Sequence, residues 1–379
     1  MKIIIAPDKF KGSLTALQVA QAMAEGVRLI DPTIEVHQLP LADGGEGSAD
    51  VLTQAVGGQT ITIAVKDPLF RTIEASYGLS ADGQMAFVEM ATASGLALLE
   101  KHERNPLLTT TFGTGELILD ALQRGAKRLI VCIGGSATND AGMGIAAALG
   151  FRFLDKNGAA LSPIGQNLAA ICRIDIDSVT PLLQNVEVVV ACDVSNPLHG
   201  PNGAAYVYAP QKGADAAAVQ QLDNGLVNFS QVVQNQFGID LQTVEGSGAA
   251  GGLGSGCVAF LNAKLQSGIE TVLQAVEFEK HLIGADLVLT GEGKIDQQTL
   301  QGKLIAGVAR AANAQHVPVV ALCGTLSLSP QEIDTLGLSY AVSVLASPVT
   351  LQEAMNDAHQ NVRDSTAAVV RFVKKMYSR

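Results

Sequence analysis

Residues 128–144, RLIVCIGGSATNDAGMG, and residues 286–296, DLVLTGEGKID, share one pattern: a short apolar strand runs straight into a glycine-rich turn carrying polar and acidic side chains. Small residues let an anion approach the main chain, and a helix starting after the turn adds positive dipole. Carboxylates and amides in such a turn can hold a divalent cation or orient a hydroxyl. The pattern predicts an α/β protein whose strand ends bind phosphate.

Outward from these turns, the first sixty residues read as strand (2–7), helix (about 15–30), strand (35–40) and helix (about 47–56). The last hundred repeat the alternation: strand 287–290, helix about 299–312, strand 318–322, a helical segment from Pro330, strand 341–345, and an amphipathic helix ending near Tyr377. Five parallel strands then form one doubly wound sheet. Between them, alternating strands at 60–65, 72–78 and 85–89, with the turn Ala81-Asp82-Gly83, read as an antiparallel meander ahead of a helix at about 115–124. The expected organisation is residues 1–60 plus 281–379 as one discontinuous domain and residues 61–280 as an inserted second domain. The strand at 128–133 fits the inserted domain or an extension of the first sheet.

Composition narrows the function. The chain has 379 residues, 47% hydrophobic, with 39 glycines, no Trp and 4% aromatic residues. That describes close-packed α/β layers rather than a stacking surface for nucleic acid. A formal charge of −11 gives no general attraction to polyanions, so an anionic ligand must be small and captured by local donors. Neither nucleic acid nor membrane is an expected partner. The five cysteines are scattered and mostly within apolar runs, and no CxxC, HExxH or paired-His spacing occurs, so any metal is expected to arrive with a nucleotide. The N-terminus opens on a strand rather than a leader, and no run reaches about 18 apolar residues, so a cytoplasmic protein is expected.

The candidate site residues sit in strand-end loops. Asp8-Lys9-Phe10-Lys11-Gly12-Ser13 follows the first strand, where Lys11 suits an anionic oxygen and Asp8 and Ser13 a substrate; Ser13 could instead cap the next helix. Asp43-Gly44-Gly45-Glu46 follows the second strand, with carboxylates able to bind a metal or hydroxyls, or merely to cap a helix. Gly134, Gly135, Ser136, Thr138 and Asn139 form the strongest anion nest, with Asp140 in reach of a magnesium ion. Asp193 ends a buried strand, with Asn196 three residues on. Gly291-Glu292-Gly293-Lys294 repeats the nest, with Asp296 as a second metal candidate and Lys303 following. No Walker A motif exists, and Gly246-Ser-Gly-Ala-Ala-Gly251 fits GxGxxG without a strand ahead of it. Acid-and-glycine loops drawn from both domains place the expected active site in an interdomain cleft.

In order along the chain, IAPDKFKGSL, LADGGEGS, EMATASGL, FGTGELI, IGGSATNDAGMG, ACDVSNPLHGPNGAA, PQKGA, GAAGGLG and LTGEGKID resemble the bacterial glycerate kinase family that forms 2-phosphoglycerate, from Lys2 to about Val344. The resemblance implies ATP and Mg²⁺ as cofactors, D-glycerate as substrate, and two dissimilar α/β domains, one flavodoxin-like and one inserted. Family members often carry Ser at Lys9 and Arg at Lys294, and a lysine at 294 keeps the charge without the planar fork. The expected mechanism is in-line transfer of the γ-phosphoryl group to the 2-hydroxyl, with Asp193 as first and Asp43 as second choice of base, and Lys11 and Lys294 neutralising phosphate. Other readings are a kinase for another small hydroxy acid or polyol, and a non-catalytic ligand-responsive protein. A monomer or homodimer is expected.

Overall fold

The computed structural model describes residues 1–45, 47–301 and 304–377; Glu46 and Lys303 lie outside the described residues. In chain order the strands are β1 (Lys2–Ile5), β2 (Glu35–Gln38), β3 (Gln59–Lys66), β4 (Thr72–Leu79), β5 (Met85–Glu89), β6 (Arg128–Cys132), β7 (Arg152–Leu154), β8 (Arg173–Asp175), β9 (Glu187–Ala191), β10 (Lys264–Gln266), β11 (Leu287–Ile295), β12 (Val319–Leu326) and β13 (Tyr340–Ser343). Two compact units result, Met1–Asp43 with Val272–Arg379, and Gly44–Thr271.

The first unit is a five-stranded sheet in the order β13-β12-β11-β1-β2, parallel throughout. Apolar runs such as Ile3-Ile4-Ile5 are wholly buried, as strands covered on both faces must be. The helix Ala16–Ile30 starts at a capping box, where Thr15 and Gln18 each satisfy the other's backbone N–H. Thr15 therefore makes the cap that Ser13 was a candidate for; Ser13 instead donates to the Phe10 carbonyl within a tight turn. Gly26 lets this helix meet the C-terminal helix Ala358–Tyr377, since a Cβ there would lie 2.3 Å from the Arg363 carbonyl oxygen and 2.8 Å from Thr366 Cβ.

The second unit holds the sheet β10-β9-β6-β5-β4-β3, in which β10, β9, β6 and β5 run parallel and β4 and β3 antiparallel. The meander therefore spans β3 to β5, and β6 extends this sheet, not the first. Its register aligns Glu89, Cys132 and Ala191, with Gln266 beside Ala191, so the loops leaving four strands share one carboxyl edge. Phe260 anchors the core between Phe151, Phe153, Phe229 and Phe237.

Two sequence expectations need correction. The helix Ser48–Ala55, expected in the first domain, packs on β4 and β5; Thr53 sits so close to Gly78 that a Cβ at Gly78 would overlap its hydroxyl at 1.6 Å. Compactness accordingly divides the chain after Asp43 and after Thr271, not at 60 and 280. The segment Gly291-Glu292-Gly293-Lys294 is strand, not turn: β11 continues to Ile295, with Gly291 opposite Leu322, Glu292 opposite Cys323 and Lys294 opposite Thr325. Its glycines answer close backbone approach, to the Leu322 carbonyl at Gly291 and to the Lys11 amide at Gly293.

Replacing a helix-interior glycine by alanine ordinarily gains about 1 kcal/mol. At Gly26 the overlap with the neighbouring helix outweighs that gain, and Gly26→Ala should lose roughly 1–3 kcal/mol of unfolding free energy in urea titration; a stabilised variant would show that the two helices are not held at this distance.

Candidate functional site

In the second unit the turn after β6 is the most elaborately supported segment. Gly134 and Gly135 are exposed, Gly135 at φ +74°, whereas Ser136 to Asp140 are buried. No hydrogen bond among the described residues engages the N–H groups of Gly134 or Gly135, which leaves them available to an anion. The turn is held from both sides. Leu96 N–H donates to the Gly135 carbonyl and Ala137 N–H to the Ser94 carbonyl. Ser136 Oγ lies 3.1 Å from Thr138 Oγ1 and donates to the Ala250 carbonyl at 3.3 Å.

Asp140 is wholly buried and accepts four hydrogen bonds: from Thr111 N and Oγ1 at 2.8 Å each, Gly144 N at 3.1 Å and Gly142 N at 3.2 Å. Burial pushes its carboxyl up, while those four donors pull the other way. A carboxylate so engaged ties the turn to the helix Phe112–Gln123 and is not placed to ligate a metal. Thr138 and Asn139, expected from sequence as cofactor contacts, are likewise interior. Among the described residues nothing bonds Asn139 Nδ2 or Oδ1.

Three more features share this carboxyl edge. Asp193, exposed after β9, accepts from Gly268 N–H at 2.7 Å, which aims its carboxylate along the edge. Gly44 approaches Gly268 and Ala191 so closely that a Cβ would sit 2.9 and 3.3 Å from them, at φ +84°. Gly45 lies beside Gly134, with 3.7 Å from the position of a Gly134 Cβ to Gly45 Cα. Glu89, 6% exposed at the end of β5, accepts the Gly47 N–H at 3.0 and 3.1 Å. The glycine loop after residue 43 is thus laid across the ends of β5, β6 and β9. Asn196 is turned inward: its amide donates to the Asn202 carbonyl and accepts from Tyr208 Oη, so both ends of a candidate substrate contact are occupied.

In the first unit, Asp8 N–H donates to the Gly291 carbonyl and Asp8 Oδ1 accepts from Lys9 N–H. Lys11 is exposed beside Gly293. Lys294 is 60% exposed and paired to Asp296 at 2.8 Å, while Asp296 also accepts from Gln298 N–H. Glu292 accepts from Thr299 Oγ1 at 2.6 Å. Asp43, partly buried, closes this unit's segment after β2. Among the described residues no three His, Cys, Asp or Glu side chains converge on a metal position, and no helix is long and apolar enough to cross a membrane.

Sequence reading missed two residues here. Glu89 and Lys212 lie within EMATASGL and PQKGA, motifs quoted for the whole chain but given no role. Glu89 is an acid at a strand end, the same signal that marked Asp193. Lys212 is 2% exposed, donates to Thr138 O at 2.6 Å and Ser136 Oγ at 3.2 Å, and is lowered by burial to about 7.

Exposed glycine amides, flanking carboxylates and a buried lysine thus gather at one strand edge of an α/β protein. The model of the glycerate kinase family matches residues 3–374. A glycerate kinase of Halalkalibacterium halodurans is 47% identical over 353 residues, 93% of each chain. The glycerate 2-kinase of Escherichia coli (strain K12) is 45% identical over 362 residues, 96% of this chain and 95% of that one. The crystal structure of a Salmonella typhimurium LT2 chain, described as a candidate glycerate kinase 2, superposes with a TM-score of 0.92 at 42% identity, covering 100% of each chain. The chain belongs to the glycerate kinase family and is an ATP-dependent phosphotransferase.

Asp140→Asn exchanges one acceptor oxygen for an NH₂ facing buried donors. Unfolding free energy should fall by roughly 2–4 kcal/mol in denaturant titration. An unchanged midpoint would mean that the carboxylate does not organise the turn.

Proposed function

We propose that this chain phosphorylates D-glycerate at its 2-hydroxyl, giving 2-phospho-D-glycerate and ADP, with Mg²⁺ carried by the nucleotide. The observation that supports this most is the open Gly134–Gly135 turn at the end of β6 with Asp193 at the end of the neighbouring β9. The first gives amide donors for phosphate oxygens; the second gives a carboxylate for the attacking alcohol. ATP supplies the phosphoryl group. Asp193 orients the 2-hydroxyl and takes its proton as the oxygen bonds to phosphorus and the bond to the ADP oxygen breaks. Asp43 is the second choice for this role. Lys11 and Lys294 neutralise phosphate charge, with Asp296 holding Lys294 in place. Asp8, Gly44 and Gly45 remain substrate-side residues in this reading. Gly291, Glu292 and Gly293 shape the strand beside Lys11 rather than donating from a turn.

Among the described residues no three His, Cys, Asp or Glu side chains converge on a divalent cation. Asp140 is fully engaged by N–H and O–H donors and Asp296 by Lys294 and Gln298. Mg²⁺ in this reading is held by phosphate oxygens, and no protein step is routed through it. The first unit's strand order, 2-1-3-4-5 when its strands are counted along the chain, supports the flavodoxin-like description. We assign the protein to the cytoplasm as a monomer or homodimer on the same proposal.

Activity with D-glycerate, ATP and Mg²⁺, coupled through enolase without phosphoglycerate mutase, reads only 2-phosphoglycerate. Immediate signal is expected. Signal appearing only after mutase is added would make the 3-hydroxyl the acceptor and contradict the proposal. Asp193→Asn should lower kcat by about 10²–10⁴-fold; near-normal turnover in folded protein would remove Asp193 as the base.

A further inference from the structure

Lys212 stands on a short turn built to put it inside the second unit. Pro210 opens the 3₁₀ turn Pro210–Lys212, and Gly213 leaves it at φ +97°, with a Cβ there only 2.2 Å from the Arg104 carbonyl oxygen. Asp215 then caps the helix Ala216–Phe237 by accepting from Ala218 N–H. The ammonium group of Lys212 meets two oxygens, Ser136 Oγ and the Thr138 carbonyl, although it has three donors. No carboxylate among the described residues forms an ion pair with it. Asp140 acts on it through space, but the Asp140 oxygens are engaged by Thr111, Gly142 and Gly144.

A buried ammonium without a counter-ion opposes folding, and a lysine in this position calls for a ligand that makes up the difference. The surroundings contain other unbonded polar groups. Asn139 Nδ2 and Oδ1 and Ser247 Oγ are buried with no partner among the described residues. Ser136 also bonds to Ala250, the first of three residues in the left-handed region, Ala250, Gly251 and Gly252, just before the helical residues 253–261. All of these groups belong to the segments that support the exposed Gly134 and Gly135.

We propose that Lys212 is a positioning residue for phosphoryl transfer: through Ser136 and the Thr138 carbonyl it fixes the Gly134–Ser136 turn and supplies the buried positive charge that favours a nucleotide phosphate on that turn. The inference rests on the assignment of that turn to phosphate made above.

The protonation of Lys212 follows from this placement. Burial lowers it to about 7, with Asp140 alone among the described charged groups pulling it upward; Cys257 is pushed up to about 12 and stays neutral, and Asp215 is engaged at its helix cap. A phosphate on the turn favours the charged form, so nucleotide binding above neutral pH draws a proton onto Lys212. Because its folded value lies below that of the unfolded chain, wild-type stability rises relative to a Lys212→Met variant as pH increases from about 7 towards 10.5, and the charge is a net burden below 7.

The test is calorimetric titration of the wild-type protein with the Mg²⁺ complex of a non-hydrolysable ATP analogue at pH 8, in buffers of different ionisation enthalpy, beside Lys212→Met. The wild type should take up close to about one proton per analogue bound, and the variant none. The variant should keep or exceed the wild-type unfolding midpoint at pH 6. Its kcat/KM for ATP should fall about 10²-fold or more, with the dissociation constant for D-glycerate changed less than about 2-fold. Wild-type protein that phosphorylates D-glycerate but shows no nucleotide-linked proton uptake overturns the role of Lys212 alone. Proton uptake driven by D-glycerate instead of the analogue overturns the phosphate assignment. Wild-type protein that neither binds the analogue nor phosphorylates D-glycerate overturns the proposed function together with this inference.

Discussion

The carboxylate of Asp140, buried and holding four donors, is the constraint on which the turn after β6 depends. Its bonds to Thr111 tie the turn after β6 to the helix that begins at Phe112, and its bonds to Gly142 and Gly144 fix the entry of the next helix, Met143–Ala148. With both ends anchored, the chain between β6 and Asp140 has few shapes left. Gly134 and Gly135 are the part that stays open, and Ser136 and Thr138 are drawn inward to Lys212. In the proposed reaction this rigid support matters, because donors already aligned need no reorganisation when charge develops on a phosphoryl group.

The same logic explains why polar groups accumulate where burial is expensive. A core made only of the Phe260 cluster and its aliphatic neighbours would be simpler to stabilise. Keeping Lys212, Asp140 and the Asn139 amide, which has no partner among the described residues, in the interior trades stability for a turn of defined shape. Glu89 plays a comparable part for the neighbouring loop, since its grip on the Gly47 N–H keeps the glycines at 44 and 45 against the ends of β6 and β9.

Much of this fold was legible in the sequence because strand and helix alternate with clear periodicity. The five parallel strands of the first unit and the β3–β5 meander follow from local pattern alone. What was not legible depended on partners distant in sequence. Gly291 to Lys294 looks like a turn, yet it pairs with β12 because its glycines admit the Leu322 carbonyl and the backbone of residues 10 and 11. Ser48–Ala55 reads as the helix completing a βαβα unit, and its packing on β4 and β5, with Thr53 against Gly78, shows which sheet it covers. At the site, acids and glycines at strand ends marked Asp193 and Gly134–Ser136 one by one, and the pairing of β6 with β9 sets their loops side by side. Asn196 was indistinguishable from them until Tyr208 and Asn202 closed on it. Lys212, in PQKGA, carries no local signal of burial; its partners come from the turn after β6, some seventy residues earlier.

The central claim is that the turn after β6 receives phosphate while Asp193 receives the alcohol. A crystal structure with D-glycerate and a non-hydrolysable ATP analogue tests it most directly. The account predicts a phosphate oxygen within about 3 Å of the Gly134 or Gly135 amide nitrogen and the glycerate 2-hydroxyl at a similar distance from a carboxylate oxygen of Asp193. Phosphates bound away from this turn, or the 2-hydroxyl remote from Asp193, would contradict it.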